Sequence, residues 1–279
     1  NMPRITLPES SAFSLDLTLG CGQVFRWEKT GAWWTGVVEK EVIRIQQKGR
    51  SLIFEGTSRE RIRDYFGLDT DLGFILDSID RDPVIHGAIT ECNGLRLVNQ
   101  PPWECLASYI CATYANIPGI RKKIALLSGT FGEPIPAGPG PVFYSFPSAD
   151  DLAESAPCDL SRCSLGYRAP YLCSTARKIA SDPGWEQRIN ALDYDAARRD
   201  LMQFKGVGPK VADCVLLFAF RKYEAFPVDV WIARIMQRYY GAAENGGYEQ
   251  ISRSGREYFG PYAGYAQEYL YGDRERLLS

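Results

Sequence analysis

Metal-binding and redox residues are scarce in this sequence. It contains one histidine, His86, and none of its eight cysteines forms a C-x-x-C pair. Zinc sites need several such ligands at short spacing, so the sequence excludes one. No cysteine follows Cys214, which excludes a C-terminal iron–sulfur cluster. Ser-His and Cys-His nucleophilic mechanisms also lack a candidate base, and we expect neither a metal nor a cofactor.

Long apolar runs and an excess of one charge are missing as well. No run approaches the roughly 18 residues of a membrane span, and no signal-peptide pattern is found. We therefore expect a soluble intracellular protein without a membrane partner, in the cytoplasm or nucleoid of a bacterium or the nucleus of a eukaryote. The net charge of −2 does not exclude nucleic acid, because phosphate affinity needs local positive charge. Met202–Tyr240 contains six basic and three acidic residues.

Secondary-structure signals change along the chain. Short segments rich in aromatic and β-branched residues predict strands at Ser14–Leu17, Gly22–Trp27, Trp33–Glu39, Glu41–Gln47 and Ser51–Glu55. Ser58 and Asp71 are suited to cap the next two helices, Ser58–Tyr65 and Asp71–Ser78. From Pro101 onward the 3.6-residue period predicts helices at Glu104–Tyr114, Pro118–Phe131, Ala149–Glu154, Tyr167–Ala180 and Asp193–Gln203.

These signals predict an α+β protein, with an N-terminal antiparallel sheet packed on a mostly helical body. We place a mixed α/β domain at residues 1–95 and a helical body of two subdomains at residues 96–279. Gly132–Pro141 is the clearest long loop. Four tyrosines at helical spacing predict a buried stripe that excludes Tyr271: Tyr258, Tyr262, Tyr265 and Tyr269.

A helix–hairpin–helix is predicted at about residues 194–220. Its hairpin contains Gly206, Val207 and Gly208, and Pro209 is suited to the first position of the following helix. The amide groups at that helix start form an anion site, which suits a sequence-independent grip on a DNA phosphate. Alone, the glycine spacing equally fits a tight connection.

Lys210 in the first turn of this helix is a candidate nucleophile. The helix dipole disfavours an ammonium there, so the neutral amine, which can form a Schiff base, is favoured. The alternative is a lysine that is solvated or contacts a phosphate. Cys214 and Phe218 lie four and eight residues on, on the same helical face, and they either line a pocket beside the amine or belong to the core.

Asp229 lies nineteen residues after Lys210, in the segment Pro227–Trp231. A carboxylate just before a helix is first of all an N-cap. It can also stabilise positive charge that develops on a sugar, or position the lysine. Together, the two segments around Lys210 and Asp229 are far more specific than either alone.

With these two segments, the chain resembles the 8-oxoguanine DNA glycosylase/AP lyase family of the helix–hairpin–helix glycosylase superfamily. Further segments similar to that family occur in the right order over nearly the whole chain: Leu15–Leu17, Gly22–Trp27, Pro102–Leu106, Tyr109–Cys111, Leu165–Ala169 and Gly260–Gln267. The resemblance implies that the partner is double-stranded DNA containing oxidised guanine. It gives no sign of an obligatory protein partner, and we expect a monomer.

The resemblance also implies residue roles at the damaged base. Lys210 attacks C1′ of the flipped nucleotide, and Asp229 stabilises the oxocarbenium-like state. The carbonyl of Gly22 accepts from N7–H of the lesion, and Gln267 reads its Watson–Crick edge. Cys214 packs on one face of the base and Tyr271 on the other. The family usually has phenylalanine at the position of Tyr271. Phe218 belongs to the same pocket. The alternative for Gly22 is a turn between strands.

DNA contacts outside the base pocket follow from the same resemblance. Tyr167 wedges into the gap left by the base, and Arg168 reads the unpaired cytosine. Trp231 replaces a usual histidine near the backbone. Tyr114 occupies the position of an asparagine, and Gly119 that of a second arginine, which read the opposite cytosine in strict family members. Because neither can replace those contacts, we expect a relaxed preference for the opposite base, unless Asn116 or Arg121 supplies the missing contact.

Two other classes of function stay open at this point. One is a monofunctional or differently specific glycosylase of the same superfamily. The other is a non-catalytic DNA-binding module that uses the hairpin only as a grip. Both lack Schiff-base chemistry with 8-oxoguanine at Lys210, so base release and strand cleavage distinguish them from the bifunctional enzyme.

Overall fold

The computed structural model describes residues 2–137, 140–243 and 246–279. A five-stranded antiparallel sheet forms the N-terminal part, in the spatial order β1-β5-β4-β3-β2. Its strands are β1 (Arg4–Thr6), β2 (Trp27–Thr30), β3 (Trp33–Val38), β4 (Glu41–Lys48) and β5 (Ser51–Glu55). In the central pairing of β3 with β4, Trp34 lies opposite Ile45, and both side chains are buried under the sheet.

Helices make up most of the remaining chain. The N-terminal helices are α1 (Leu15–Gly20), α2 (Arg59–Tyr65), α3 (Leu72–Ile79) and α4 (Pro83–Glu91). Next come α5 (Pro102–Ala112), α6 (Ile117–Phe131), α7 (Ala149–Glu154), α8 (Pro157–Ser161), α9 (Arg168–Ala180) and α10 (Trp185–Ala191). The last are α11 (Tyr194–Leu201), α12 (Pro209–Ala219), α13 (Val230–Tyr239), α14 (Tyr248–Phe259), α15 (Ala263–Gly272) and α16 (Arg274–Leu278). The predicted α+β class with a helical body is confirmed.

Three of the five predicted strands are confirmed as β3, β4 and β5, but the first two predictions are wrong. The Ser14 hydroxyl accepts a hydrogen bond from Leu17 N at 3.3 Å and caps α1, so Ser14–Leu17 begins a helix. Most of Gly22–Trp27 is irregular and reaches the sheet only at Trp27. A short strand pair that the sequence did not predict joins β6 (Pro134–Ile135) to β7 (Phe143–Tyr144) across the predicted loop.

Buried side chains form two clusters. The smaller one lies between the sheet and the helices α1 and α2, and the larger one fills the helical body. Helices α3 and α4 contribute to the larger cluster and pack against α15. The division at residue 95 stays a prediction, although the packing of α3 and α4 ties the N-terminal part closely to the helical body.

The predicted tyrosine stripe is only half buried. Gly260 ends α14 with a φ of +75°, and the break rotates the helix that follows. Tyr265 and Tyr269 on α15 are buried, whereas Tyr258 on α14 is exposed. Among the described residues, no helix is long and apolar enough to cross a membrane.

Candidate active site

The helix–hairpin–helix consists of α11, α12 and the hairpin between them. Gly206 has a φ of +84°, and a Cβ there would lie 2.8 Å from Cβ of Tyr171, so the position needs glycine. Val207 is buried, which anchors the hairpin. Gly208 precedes α12 without a side-chain cap and with open space beside its Cα. The first amide groups of α12 are therefore available to a phosphate.

Lys210 is the second residue of α12, and its side chain is exposed. It forms no hydrogen bond or ion pair with any residue in the described ranges. Its charge acts on the thiol of Cys214 one helical turn away. The amine is thus accessible and adjoins the side chain that was predicted to line the base pocket.

Asp229 caps α13, as its position before the helix predicts. Its Oδ1 accepts hydrogen bonds from Trp231 N at 3.0 Å and Ile232 N at 2.8 Å. The side chain is half-buried, and its negative charge acts on Cys214 and Tyr271. Capping and a catalytic role are therefore compatible, because the cap hydrogen bonds use Oδ1 alone and the charges of Asp229 and Lys210 both act on Cys214.

The side chains predicted to line the base pocket near these two residues lie on α12 and α15. Cys214 is buried, and burial raises the pKa of its thiol, which stays neutral. Tyr271 is half-buried, with the Arg274 guanidinium 4.2 Å from its ring centre. Gln267 is buried, and its Oε1 has no hydrogen-bond partner among the described residues. An unpaired buried acceptor is costly, so this atom is suited to bind a ligand.

Gly22 lies at the same pocket and has a φ of +97°. A Cβ there would lie 3.0 Å from Ile117 Cδ1 and 3.9 Å from the Tyr271 hydroxyl. The next residue, Gln23, holds this segment in place: its Nε2 donates to the carbonyls of Thr18 and Arg96, each at 2.9 Å. Side chains from α5 and the preceding segment add hydrogen bonds to the Gln23 carbonyl, from Gln100 Nε2 at 2.6 Å and the Tyr109 hydroxyl at 3.2 Å.

Phe218 is buried behind the pocket. Its ring stacks on that of Tyr109, with ring centres 5.8 Å apart and an angle of 13° between the planes. Tyr109 in turn contacts Phe25 edge to face, with ring centres 5.6 Å apart. These three rings belong to the larger core cluster. The position of Phe218 fits a core residue and also a residue at the base of the predicted pocket.

Three predicted DNA contacts lie together at the start of α9 and the end of α5. Tyr167 is exposed, and the Arg168 guanidinium lies 4.5 Å from its ring centre. Arg168 is itself buried and donates to the carbonyl of Thr113 through Nε, at 2.9 Å, and through Nη2. This contact holds the turn at Tyr114, which has a φ of +51° and is 94% exposed. A positive φ is unusual for an aromatic residue.

Trp231 lies away from this group, in the first turn of α13. Its ring is partly exposed, and the Arg234 guanidinium lies 5.5 Å from the ring centre. Val230 beside it is also exposed. Trp231 therefore presents an aromatic surface with a cation next to it.

Sequence reasoning missed two buried acids. Asp213 is fully buried on α12 and accepts hydrogen bonds from the hydroxyls of Tyr194 and Tyr248, each at 2.6 Å. Glu268 follows Gln267 on α15 and is also buried. The position of Asp213 within an otherwise apolar helix is a signal in the sequence, but only the tertiary structure reveals what Asp213 contacts. Among the described residues, no cluster of three or more His, Cys, Asp or Glu side chains is placed to hold a metal ion.

Comparison with known families gives a consistent result. Residues 4–106 match the N-terminal domain of 8-oxoguanine DNA glycosylase, and residues 118–261 match the HhH-GPD superfamily of base excision DNA repair proteins. The chain belongs to the 8-oxoguanine DNA glycosylase family. This membership confirms the resemblance and the enzyme class that the sequence predicts.

Individual relatives agree with this assignment. A probable N-glycosylase/DNA lyase of Methanothermobacter thermautotrophicus is 35% identical over 79% of this chain and 76% of its own length. The N-glycosylase/DNA lyase of Saccharomyces cerevisiae is 33% identical over 84% of this chain and 70% of its own length. The 8-oxoguanine glycosylase/lyase of Clostridium acetobutylicum, solved with duplex DNA containing cytosine opposite 8-oxoguanine, is 34% identical and superposes with a TM-score of 0.90. That comparison covers 95% of this chain and 92% of the other.

Proposed function

We propose that the protein excises 8-oxoguanine from duplex DNA through a Schiff base at Lys210 and then cleaves the abasic strand. The observation that carries this proposal is an exposed, unpaired lysine at the start of α12 beside a pocket with an unpaired buried acceptor. The glycosidic carbon of 8-oxoguanine is inaccessible inside a duplex, so the damaged nucleotide must be flipped into the pocket before it reacts.

The reaction begins at C1′ of the flipped nucleotide. The Lys210 Nζ lone pair forms a bond to C1′, while the bond from C1′ to N9 breaks and its electron pair leaves with the base. The amine then loses a proton, the bond from C1′ to O4′ breaks, and O4′ is protonated, which gives the Schiff base. Loss of a C2′ proton expels the 3′ phosphate and nicks the strand. Asp229 stabilises the positive charge that develops on the sugar.

Selection of the base uses the pocket around Gly22 and Gln267. The carbonyl of Gly22 accepts from N7–H, a proton that guanine lacks, and Gln267 Oε1 accepts from the Watson–Crick edge. Cys214 and Tyr271 pack on the two faces of the base, in front of Phe218. A buried carbonyl without a donor costs about 1–3 kcal/mol, which is enough to discriminate against guanine by one to two decades.

The DNA backbone and the gap in the duplex are bound by the exposed features around the pocket. The hairpin residues Gly206, Val207 and Gly208 and the ring of Trp231 contact the backbone on one side. Tyr167 and Tyr114 are also exposed, and the hydrogen bond from Arg168 to the Thr113 carbonyl joins the two segments that carry them. Both rings are suited to stack in the space that the flipped base leaves.

A relaxed preference for the opposite base is part of this proposal. Arg168 is the single residue assigned to read the cytosine, and its guanidinium is already bound to the Thr113 carbonyl. These hydrogen bonds occupy Nε and Nη2, so fewer of its donors are left for a base. Tyr114 offers one hydroxyl and Gly119 offers no side chain, so neither supplies the bidentate contacts that favour one base.

The test is a single-turnover assay on an 8-oxoguanine duplex that scores released base and strand nicks separately. We expect both products from the wild-type protein, and neither from Lys210→Gln, which retains lesion binding. Lys205→Gln, which removes a charge from the same hairpin, is the matched control and retains both activities. Base release without nicking would indicate a monofunctional enzyme, and DNA binding without base release would indicate a DNA-binding module.

A further inference from the structure

Helix α15 carries a buried acid that the proposed mechanism does not use. Glu268 is 5% exposed and directly follows Gln267. In the described part of the chain, Oε2 of Glu268 and Oε1 of Gln267 are both buried without a hydrogen-bond partner. Two adjacent polar groups in this state are costly, and a bound ligand that satisfies both removes the cost.

The buried Glu268 carboxyl group interacts with two of the side chains that are proposed to line the base pocket. Its charge acts on Cys214 from α12 and on Tyr271 from its own helix. It also interacts with the thiol of Cys21, which donates to the Thr18 carbonyl at 3.5 Å. Because Cys21 directly precedes Gly22, the carboxyl group lies near the Gly22 segment.

Burial keeps this carboxyl group neutral over most of the physiological range. Desolvation raises the pKa of Glu268 to about 8, and the negative charge of Asp229 acts in the same direction. The interaction with the Cys21 thiol and, more weakly, the Arg274 guanidinium oppose the shift. The other titratable groups that face it are thiols and phenols whose own pKa values are raised by burial: Cys21, Cys92, Tyr109, Cys214 and Tyr271. A neutral carboxyl group both donates and accepts hydrogen bonds.

We propose that the Glu268 carboxyl group is a lesion-specificity determinant that donates a hydrogen bond to the C8 carbonyl oxygen of flipped 8-oxoguanine. This inference rests on the proposed function. It pairs the two atoms that distinguish the lesion from guanine with two protein groups: N7–H donates to the Gly22 carbonyl, and O8 accepts from Glu268. Guanine has no oxygen at C8, so it leaves the acid unpaired. Ionised Glu268 repels O8 and loses the contact.

The test compares Glu268→Gln, which keeps a neutral donor, with Glu268→Met, which keeps the length without a donor. Glu275→Gln on α16 is the matched control, because Glu275 is exposed and lies outside the pocket. Single-turnover base release is measured on an 8-oxoguanine duplex from about pH 6 to pH 9.5, and strand cleavage is measured on a preformed abasic duplex. Thermal melting checks that each variant folds.

We expect Glu268→Met to lower base release at least about tenfold more than it lowers abasic cleavage. Glu268→Gln retains most of the base release at neutral pH. Wild-type base release declines above about pH 8 as the proton is lost, and the Gln variant lacks this decline. If Glu268→Met fails to fold, the pH profile of the Gln variant decides.

Three results overturn the inference. The first is a rate of base release by Glu268→Met equal to that of the wild type. The second is a decline of the Glu268→Gln rate at alkaline pH that matches the wild-type decline. The third is an equal loss on the lesion and abasic duplexes, which indicates a structural role alone. Absence of base release by the wild-type protein itself refutes the proposed function instead, so the two failures are distinguishable.

Discussion

Asp213 anchors the helix that carries Lys210, and its removal is expected to destabilise the protein strongly. Its Oδ1 accepts from the Tyr194 hydroxyl at 2.6 Å and from Arg198 Nε at 2.8 Å, and its Oδ2 accepts from the Tyr248 hydroxyl at 2.6 Å. The donors lie on α11 and α14, so one fully buried side chain joins three helices.

The magnitude follows from what the substitution leaves behind. Asp213→Ala leaves a largely buried guanidinium whose remaining carboxylate partner, Glu249 at 3.0 Å, is exposed. Breaking a buried ion pair typically costs about 3–5 kcal/mol, and each buried hydroxyl left unpaired costs about 1–3 kcal/mol. Because the donors share one acceptor, these costs do not add. We expect a loss of about 3–5 kcal/mol for Asp213→Ala, and a smaller loss for Asp213→Asn, which keeps one acceptor.

Urea unfolding with linear extrapolation measures this loss. Asp195→Asn is the matched control, because Asp195 on α11 is exposed and pairs with Arg256 at 3.7 Å. An exposed pair of this kind contributes at most about 1 kcal/mol. A loss below about 1 kcal/mol for Asp213→Ala would refute the reasoning that this network holds the hairpin helices together.

Three further predictions concern pH, lesion pairing and salt. The pKa of Glu268 is raised from 4.5 to about 8 in the folded protein, so unfolding between these pH values releases its proton. The free energy of unfolding of the wild type therefore falls from about pH 4.5 to pH 8, by up to about 1.4 kcal/mol per pH unit. Unfolding of Glu268→Gln lacks this component, and parallel pH profiles of the two proteins would contradict the assignment. Lesions opposite cytosine and adenine are excised at rates within about tenfold; a hundredfold preference for cytosine would show that another side chain reads it. Affinity for duplex DNA falls linearly with log salt despite the net charge of −2; a slope near zero would exclude the hairpin as the grip.

The fold was predictable wherever local interactions decide it. Ser58 and Asp71 accept hydrogen bonds from the amides of the helices they precede, as their residue types indicate. Strands β3, β4 and β5 alternate and pair with near neighbours in the chain. Gly22–Trp27 was mispredicted because its conformation depends on the side chain of Gln23, whose partners Arg96 and Val98 are more than 70 residues away. Ser14–Leu17 is the exception, because the cap that makes it a helix is local and the strand prediction overlooked it.

The site shows the same division. Lys210 and Asp229 could be singled out because the chemistry proposed for each depends on its place at a helix start, which is visible in the sequence. Glu268 could not, because an acid in a helix is ordinarily on the surface, and only the tertiary packing around α15 buries it. The contact from Arg168 to the Thr113 carbonyl likewise joins α9 to the end of α5.

Borohydride trapping on an 8-oxoguanine duplex tests the proposed Schiff base most directly. We expect the wild-type protein to form a covalent protein–DNA adduct, and peptide mapping to locate the reduced bond at Lys210. Lys210→Gln forms no adduct, whereas Lys205→Gln forms it at the wild-type level. An undiminished adduct in Lys210→Gln, or an adduct that maps to another residue, would contradict the account.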